Sequence, residues 1–389
     1  MMTVRATATP WAVLLGTVLA PHWALGAGTI EIDETRWVSV GAGLRAGYRS
    51  TEDAAPSGSD RSNDFNVENV RLYVNGQAHE KVKFTFNTEC TGCVFGQSAS
   101  EIGAGGDIDV LDAIAQFELS PQLNIWIGRM LTPADRIEMN GPFYGLNWNQ
   151  YTVPLLPSDQ LGQAGLLGRD DGVTLWGAAG KFQYAVGLFD GVDSGPNVDD
   201  DVLLSTRLAY NFLDVESNPA YYTSSTYFGE GGNIFTLGLS YQSQKNGTGT
   251  AADPADFSAV ILDMLYEKPL GGGSAITIEA EYKTFDAALS PAALADPGCF
   301  CLFDGDSYFV TAAYLIPGSG KVRYQPYVRY VSNEPSDSPH SDLSELGLNI
   351  ILRGHNARLN VNFTSGDANI TGFQGPDRNS FFFGVQVQI

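Results

Sequence analysis

Residues 37–49 read WVSVGAGLRAGYR, and their alternation decides the fold. Val38, Val40, Ala42, Leu44, Ala46 and Tyr48 fall on one face of an extended chain, and Ser39, Gly41, Gly43, Arg45, Gly47 and Arg49 on the other. Successive side chains of a strand point to opposite faces, so this segment is a strand with one apolar and one wet side. The next segment repeats it: Val70, Leu72, Val74 and Ala78 oppose Asn69, Arg71, Tyr73, Asn75 and Gln77 before a turn at His79 to Lys81. No apolar run long enough for a transmembrane helix follows the N-terminus, so any membrane crossing must be made by strands.

Carried along the chain, the alternation predicts further strands near 82–90, 109–119, 122–130, 169–179, 181–190, 202–212, 233–244 and 257–267. Six more follow near 274–285, 306–316, 321–332, 342–353, 356–365 and 379–389. The total is sixteen, an even number, as a single-chain bacterial barrel with both termini on one side requires. Connections alternate in length. The short set includes Ser120 to Pro121, Ala179 to Gly180, Pro317 to Gly320 and Gly354 to His355; the long set includes 50–64, 91–108, 131–168, 286–305 and 366–378. Connection 213–232 is long where a short turn is due, which signals either a slipped strand count or an insertion. At the C-terminus Phe381, Phe383, Val385, Val387 and Ile389 alternate with polar or small residues to the last position. Aromatic residues such as Phe117, Tyr210, Tyr241, Tyr282 and Tyr330 fall near strand ends on the apolar face, where an interfacial girdle belongs. A soluble sandwich would show no such alternation of long and short connections. The expected fold is all-β, a sixteen-stranded antiparallel transmembrane β-barrel with long external loops and an inward-folded loop 3.

Composition agrees. The 389 residues carry 44 acidic and 22 basic side chains, a net charge of −22, which excludes a binder of nucleic-acid phosphates. With 17% charged residues, 44 Gly, 17 Tyr and 21 Phe, the chain is too apolar for disorder and low in charge for a soluble surface. Its mean hydropathy of −0.08 is not that of a helical membrane protein. Residues 1–26 read as a signal peptide: Arg5 lies in a short n-region, Trp11 to Ala20 is apolar, and Pro21 precedes the small residues Ala24 and Gly26. Residues 27–389 would then form the exported barrel, in the bacterial outer membrane among its lipids.

Phe65 to Phe86 (FNVENVRLYVNGQAHEKVKFTF), Ile125 to Arg129 (IWIGR) and Arg169 to Gly177 (RDDGVTLWG) resemble the phosphate-selective porin O and P family. The resemblance implies a sixteen-stranded barrel, usually a homotrimer, with loop 3 folded into the channel. Arg129 matches the family's pattern, but no lysine cluster does, so phosphate selectivity is not carried over.

Read from the residues, the inward faces hold Arg45, Arg71, Lys83, Arg129, Lys283, Arg323, Arg329 and Arg358, with acids at Asp112, Glu118, Glu279, Glu281 and Glu345. Loop 3 adds Asp135, Arg136, Glu138 and Asp159. This set predicts a pore lining in which wall arginines face loop carboxylates, since rings of charge are how pores select ions. The four cysteines form two close pairs, Cys90 with Cys93 and Cys299 with Cys301, which in an exported chain favour disulfides within or between loops. The spacing of the second pair does not suit zinc. No catalytic set, cofactor or metal site is expected, because His79, His340 and His355 have no evident nucleophile partner in the sequence. The expected function is a water-filled channel passing small hydrophilic solutes or ions, weakly favouring anions. The alternative is a surface-structural or adhesive barrel whose loops bind a partner.

Overall fold

The computed structural model describes residues 28–91, 107–159, 168–318 and 320–389. The expected leader and Cys93 lie outside these. The described strands are β1 (Gly28–Glu31), β2 (Trp37–Thr51), β3 (Asp64–His79), β4 (Val82–Thr91), β5 (Asp107–Ser120), β6 (Leu123–Leu131), β7 (Arg169–Ala179) and β8 (Phe182–Phe189). They continue as β9 (Leu203–Asn211), β10 (Ile234–Thr250), β11 (Asp253–Pro269), β12 (Ala275–Asp286), β13 (Gly305–Leu315), β14 (Arg323–Pro335), β15 (Ser341–Arg353), β16 (Ala357–Gly366) and β17 (Arg378–Gln388).

From β2 to β17 each strand pairs antiparallel with the next, and β17 returns to β2, with Ser380 opposite Thr51 and Gln388 opposite Gly43. The result is a closed sixteen-stranded barrel, which has no free edge to satisfy. The short β1 was not expected. It pairs with β2 from Gly28 opposite Val40 to Glu31 opposite Trp37. That is the stretch of β2 left open beyond β17, after which Ile389 exchanges backbone bonds with Ala42 at 2.9 and 3.1 Å.

The strand count holds across 213–232, so this connection is an insertion. Residues 245–256, expected as loop, instead extend β10 and β11 to a tight turn between Thr250 and Asp253. The register shifts between Gln244 and Thr248, where Asn246 adopts a positive φ of 54°. Such a bulge breaks the period-two signal and hides the continuing strand.

Leu44, Leu72, Ile127, Leu175, Leu208, Leu239, Leu262, Val328, Leu346 and Phe363 project outward and exposed. An apolar surface of this extent around a barrel is built for hydrocarbon. At the end with short turns, Tyr210, Phe212, Phe235 and Tyr266 touch ring to ring at 4.8, 5.1 and 6.3 Å. Tyr308 and Tyr330, 6.3 Å apart, lie toward the end with long loops. The inner face is polar, yet most of it is buried, because two segments fill the barrel.

Candidate functional site

Loop 3 enters first. Asp135 caps α1 (Arg136–Tyr144) by accepting from the Glu138 N–H at 2.9 Å, and Gly141, at φ 61°, kinks it ahead of Pro142. A loop inside a barrel buries its own carbonyls, and these need donors. The wall supplies them. Ser240 donates to Ala134 O (2.7 Å), Gln386 to Phe143 O (2.9 Å), Arg358 to Gly145 O (2.6 Å), Asn349 to Leu146 O (2.9 Å) and Asn333 to Thr152 O (3.2 Å). Arg329 reaches the Thr152 hydroxyl and pairs with Glu345 at 3.4 Å.

The insertion 213–232 meets loop 3 from the opposite end. Tyr221 donates to Leu131 O (2.7 Å) and Thr223 to Arg136 O (2.6 Å), while the Ser225 N–H donates to Tyr144 O (3.1 Å). Arg136 turns toward the insertion, holding both oxygens of Glu216 (2.9 and 2.7 Å) and Ser224 O (2.8 Å). Thr226 and the N–H groups of Tyr227 and Gly229 all donate to Glu267 on β11.

Much of the expected pore lining is therefore corrected. Arg136, Arg329, Arg358, Asp135 and Glu138 lie inside the barrel but are buried, serving as polar supports for the plug. Two of the loop carboxylates, Asp135 and Glu138, face a lysine and not the wall arginines. Lys283 on β12 gathers Asp135 (2.5 Å), Glu138 (2.7 Å) and Glu281 (3.4 Å). Burial pushes the loop members of this cluster up, Asp135 and Glu138 to about 7 and neighbouring Asp159 to about 6. Arg129 is a second correction. It shares a face with Ile127, which is exposed outward, and pairs bidentately with Asp171 at 2.9 and 2.8 Å on the outer wall. Arg323 sits at the turn end, 3.5 Å from Glu230, and Lys83 pairs with Glu118 on the inner face.

What stays open follows one side. Asn69, Tyr73, Asn75, Gln77, Lys83 and Asn87 on the inner faces of β3 and β4 remain partly exposed, while inward residues of β9 to β17 are mostly buried. At the loop end of this side is a cavity of about 270 Å³ between β2, β3 and loop 3. Arg45, Arg49, Arg71 and Arg169 line it with Glu68 and Asp159, beside Trp148, Tyr151, Leu155 and Ile370. Arg45 lies 4.1 Å over the Trp148 ring and donates to Trp148 O (2.5 Å) and Asn69 (3.0 Å). The Trp148 indole N–H donates to Glu68 (2.7 Å). Arg71 is bound to Glu89 (2.5 Å), Arg169 to Asp112 (2.9 Å).

Of the expected lining, Arg45, Arg71 and Asp159 reach this cavity. Arg49, Arg169, Glu68 and Trp148 were missed, although Arg49 was legible as sharing the wet face of β2 with Arg45. Cys299 and Cys301 form a disulfide, and Cys90 is also disulfide-bonded. His355 Nε2 contacts Thr226 O at 2.9 Å and lies 3.5 Å from the Ser224 hydroxyl. Burial and nearby Arg358 push this imidazole down to about 3, and no carboxylate among the described residues orients it, so the pair does not form a catalytic set.

No family model and no curated protein matches the chain. Solved structures do. An anion-selective porin from Comamonas acidovorans superposes with TM-score 0.58 at 13% identity, covering 91% of this chain and all of that one. Salmonella typhi OmpF in complex with daunomycin gives 0.58 at 9%, covering 93% and 100%. The trimer form of in-vitro folded OmpT from Vibrio cholerae gives 0.55 at 15%, covering 92% and 100%. With its closed sixteen-stranded barrel and inward third loop, the chain has the fold of the outer-membrane porins.

Proposed function

We propose that the chain is an exported porin of the bacterial outer membrane, non-enzymatic and homotrimeric, that passes small hydrophilic solutes or ions passively with a preference for anions. Membership of the phosphate-selective O and P group rests on the sequence resemblance. The observation that carries the reading is the cavity between β2, β3 and loop 3, lined by four arginines with Glu68 and Asp159, on the side where inner-face residues of β3 and β4 stay partly exposed. The −22 of the whole chain argues for cations, but charge beyond about 8 Å is screened at physiological salt, so the local arginines dominate. The named neighbours include one anion-selective porin, which agrees with this sign.

Purified protein in a planar bilayer under a salt gradient tests it. Small discrete channels with an anion-selective reversal potential, weakened in Arg49→Gln, are expected. Cation selectivity overturns the arginine argument. A folded barrel that never conducts overturns the porin reading in favour of a structural or adhesive barrel.

A further inference from the structure

The arginines around the cavity are unequally paired. Arg71 is neutralised by Glu89 and Arg169 by Asp112. Arg45 and Arg49 share one carboxylate, Glu68, each at 3.9 Å, and Glu68 is also engaged by the Trp148 indole. Asp159 also lines the cavity, and burial raises its carboxyl to about 6. Arg45 and Arg49 therefore have one carboxylate partner between them, and the guanidinium of Arg45 is not fully satisfied. It is oriented, because Arg45 is 3% exposed and its Nε, like that of Arg49, has no hydrogen-bond partner. An unpaired buried donor at the edge of a cavity is a standing demand for an acceptor.

Besides Asn69 and Asn149, the rest of the lining is apolar or aromatic. Leu155 and Ile370 face the space beside the edges of Trp148 and Tyr151. Hydrated inorganic ions gain nothing from such surfaces, whereas a carboxylate carrying a hydrocarbon body buries apolar area while its head meets the guanidinium. The cavity of about 270 Å³ lies below the range of drug-sized pockets, which limits the occupant to a small molecule.

Building on the porin reading, we infer that this cavity is a binding site for a small organic monocarboxylate with an apolar body, held head-first at Arg45 and Arg49. Such a site concentrates that class of solute inside the barrel, against loop 3.

Benzoate, acetate and inorganic phosphate serve as probes, titrated calorimetrically into the folded protein in detergent and added to conducting bilayers in potassium chloride. Benzoate is expected to bind saturably, at least tenfold tighter than acetate or phosphate, and to reduce the chloride current in the same range. Arg49→Gln weakens benzoate at least tenfold, and Ile370→Ser weakens benzoate but not phosphate. Equal affinity for all three anions, or no change in Arg49→Gln, overturns the inference. Channels that conduct without binding benzoate overturn the site and leave the porin reading. Benzoate binding by a folded barrel that never conducts does the reverse.

Discussion

Replacing Arg136 by Met should release loop 3 from the insertion beneath it. The guanidinium is 1% exposed and makes three hydrogen bonds of 2.7 to 2.9 Å to Glu216 and Ser224 O. Its Nε lies 3.4 Å from Asp263, but that carboxylate keeps Arg207 as a partner, so the loss falls mainly on Glu216. Removing one member of a buried pair costs about 3–5 kcal/mol, most of it from the charge left behind. Burial alone would raise the Glu216 carboxyl, yet Arg136 outweighs it and holds the pKa below its ordinary 4.5. The native pair therefore contributes above that value and is lost as pH falls through the depressed folded one. In the variant only burial remains, with Tyr227 at 2.8 Å and Asn218 at 3.4 Å as residual donors, so Glu216 titrates upward. The cost is then greatest at high pH and falls by at most about 1.4 kcal/mol per pH unit as the carboxyl takes a proton. Hydrogen exchange of amides in 132–159 and 213–232 reads the opening directly. At pH 8 it should accelerate by about two to three orders of magnitude, since each decade is about 1.4 kcal/mol, and single-channel conductance should rise and grow noisy. A double-mutant cycle with Glu216→Gln isolates the pair. Exchange within threefold of wild type, with unchanged conductance, would refute the clamp.

Arg129→Ala should leave conductance and reversal potential unchanged in bilayers, because the pair with Asp171 lies outside the lumen, and an exposed ion pair of this kind contributes only about 0–1 kcal/mol. Gly128→Ala should sharply lower the yield of folded barrel on a heat-modifiability gel: its φ is +123°, and a Cβ would stand 2.1 Å from the Ala113 carbonyl oxygen on the paired strand. Loop 3 should be held most firmly in mild acid. Asp135, Glu138 and Asp159 are raised to about 7, 7 and 6 from ordinary values near 4, so their neutral forms favour the docked loop and this contribution is lost as pH rises from about 4 to 7, with Lys283 and Glu281 of β12 the charged groups facing them. Exchange of loop 3 amides, corrected for intrinsic base catalysis, should accelerate between pH 5 and 8 and flatten in Glu138→Gln; a slope of opposite sign would sink the burial argument.

The barrel was legible because lipid imposes its pattern residue by residue: Leu44, Leu72 and Leu346 face hydrocarbon and their neighbours cannot. The lumen carries no such rule. An inward arginine has the same sequence signature whether it meets water, as Arg49 partly does, or a loop carbonyl, as Arg358 does, and only the path of loop 3 decides between them. That path is set by contacts between residues as distant as Gly145 and Arg358, which no local spacing encodes. The long connection 213–232 was visible as an anomaly, but its direction was not; it turns inward because Arg136, Glu267 and Glu279 offer buried partners to its hydroxyl and N–H groups. Arg129 was misplaced for a different reason. It was counted on the inward face, whereas strict parity with the exposed Ile127 puts it outside. The two inward segments together explain why so polar an inner wall is so thoroughly buried. Its Asn, Gln and Arg side chains are the hydrogen-bond complement of two loop backbones, and the wall from β2 to β4, which loop 3 covers only at Arg45 and Arg71, keeps its polar side chains partly exposed.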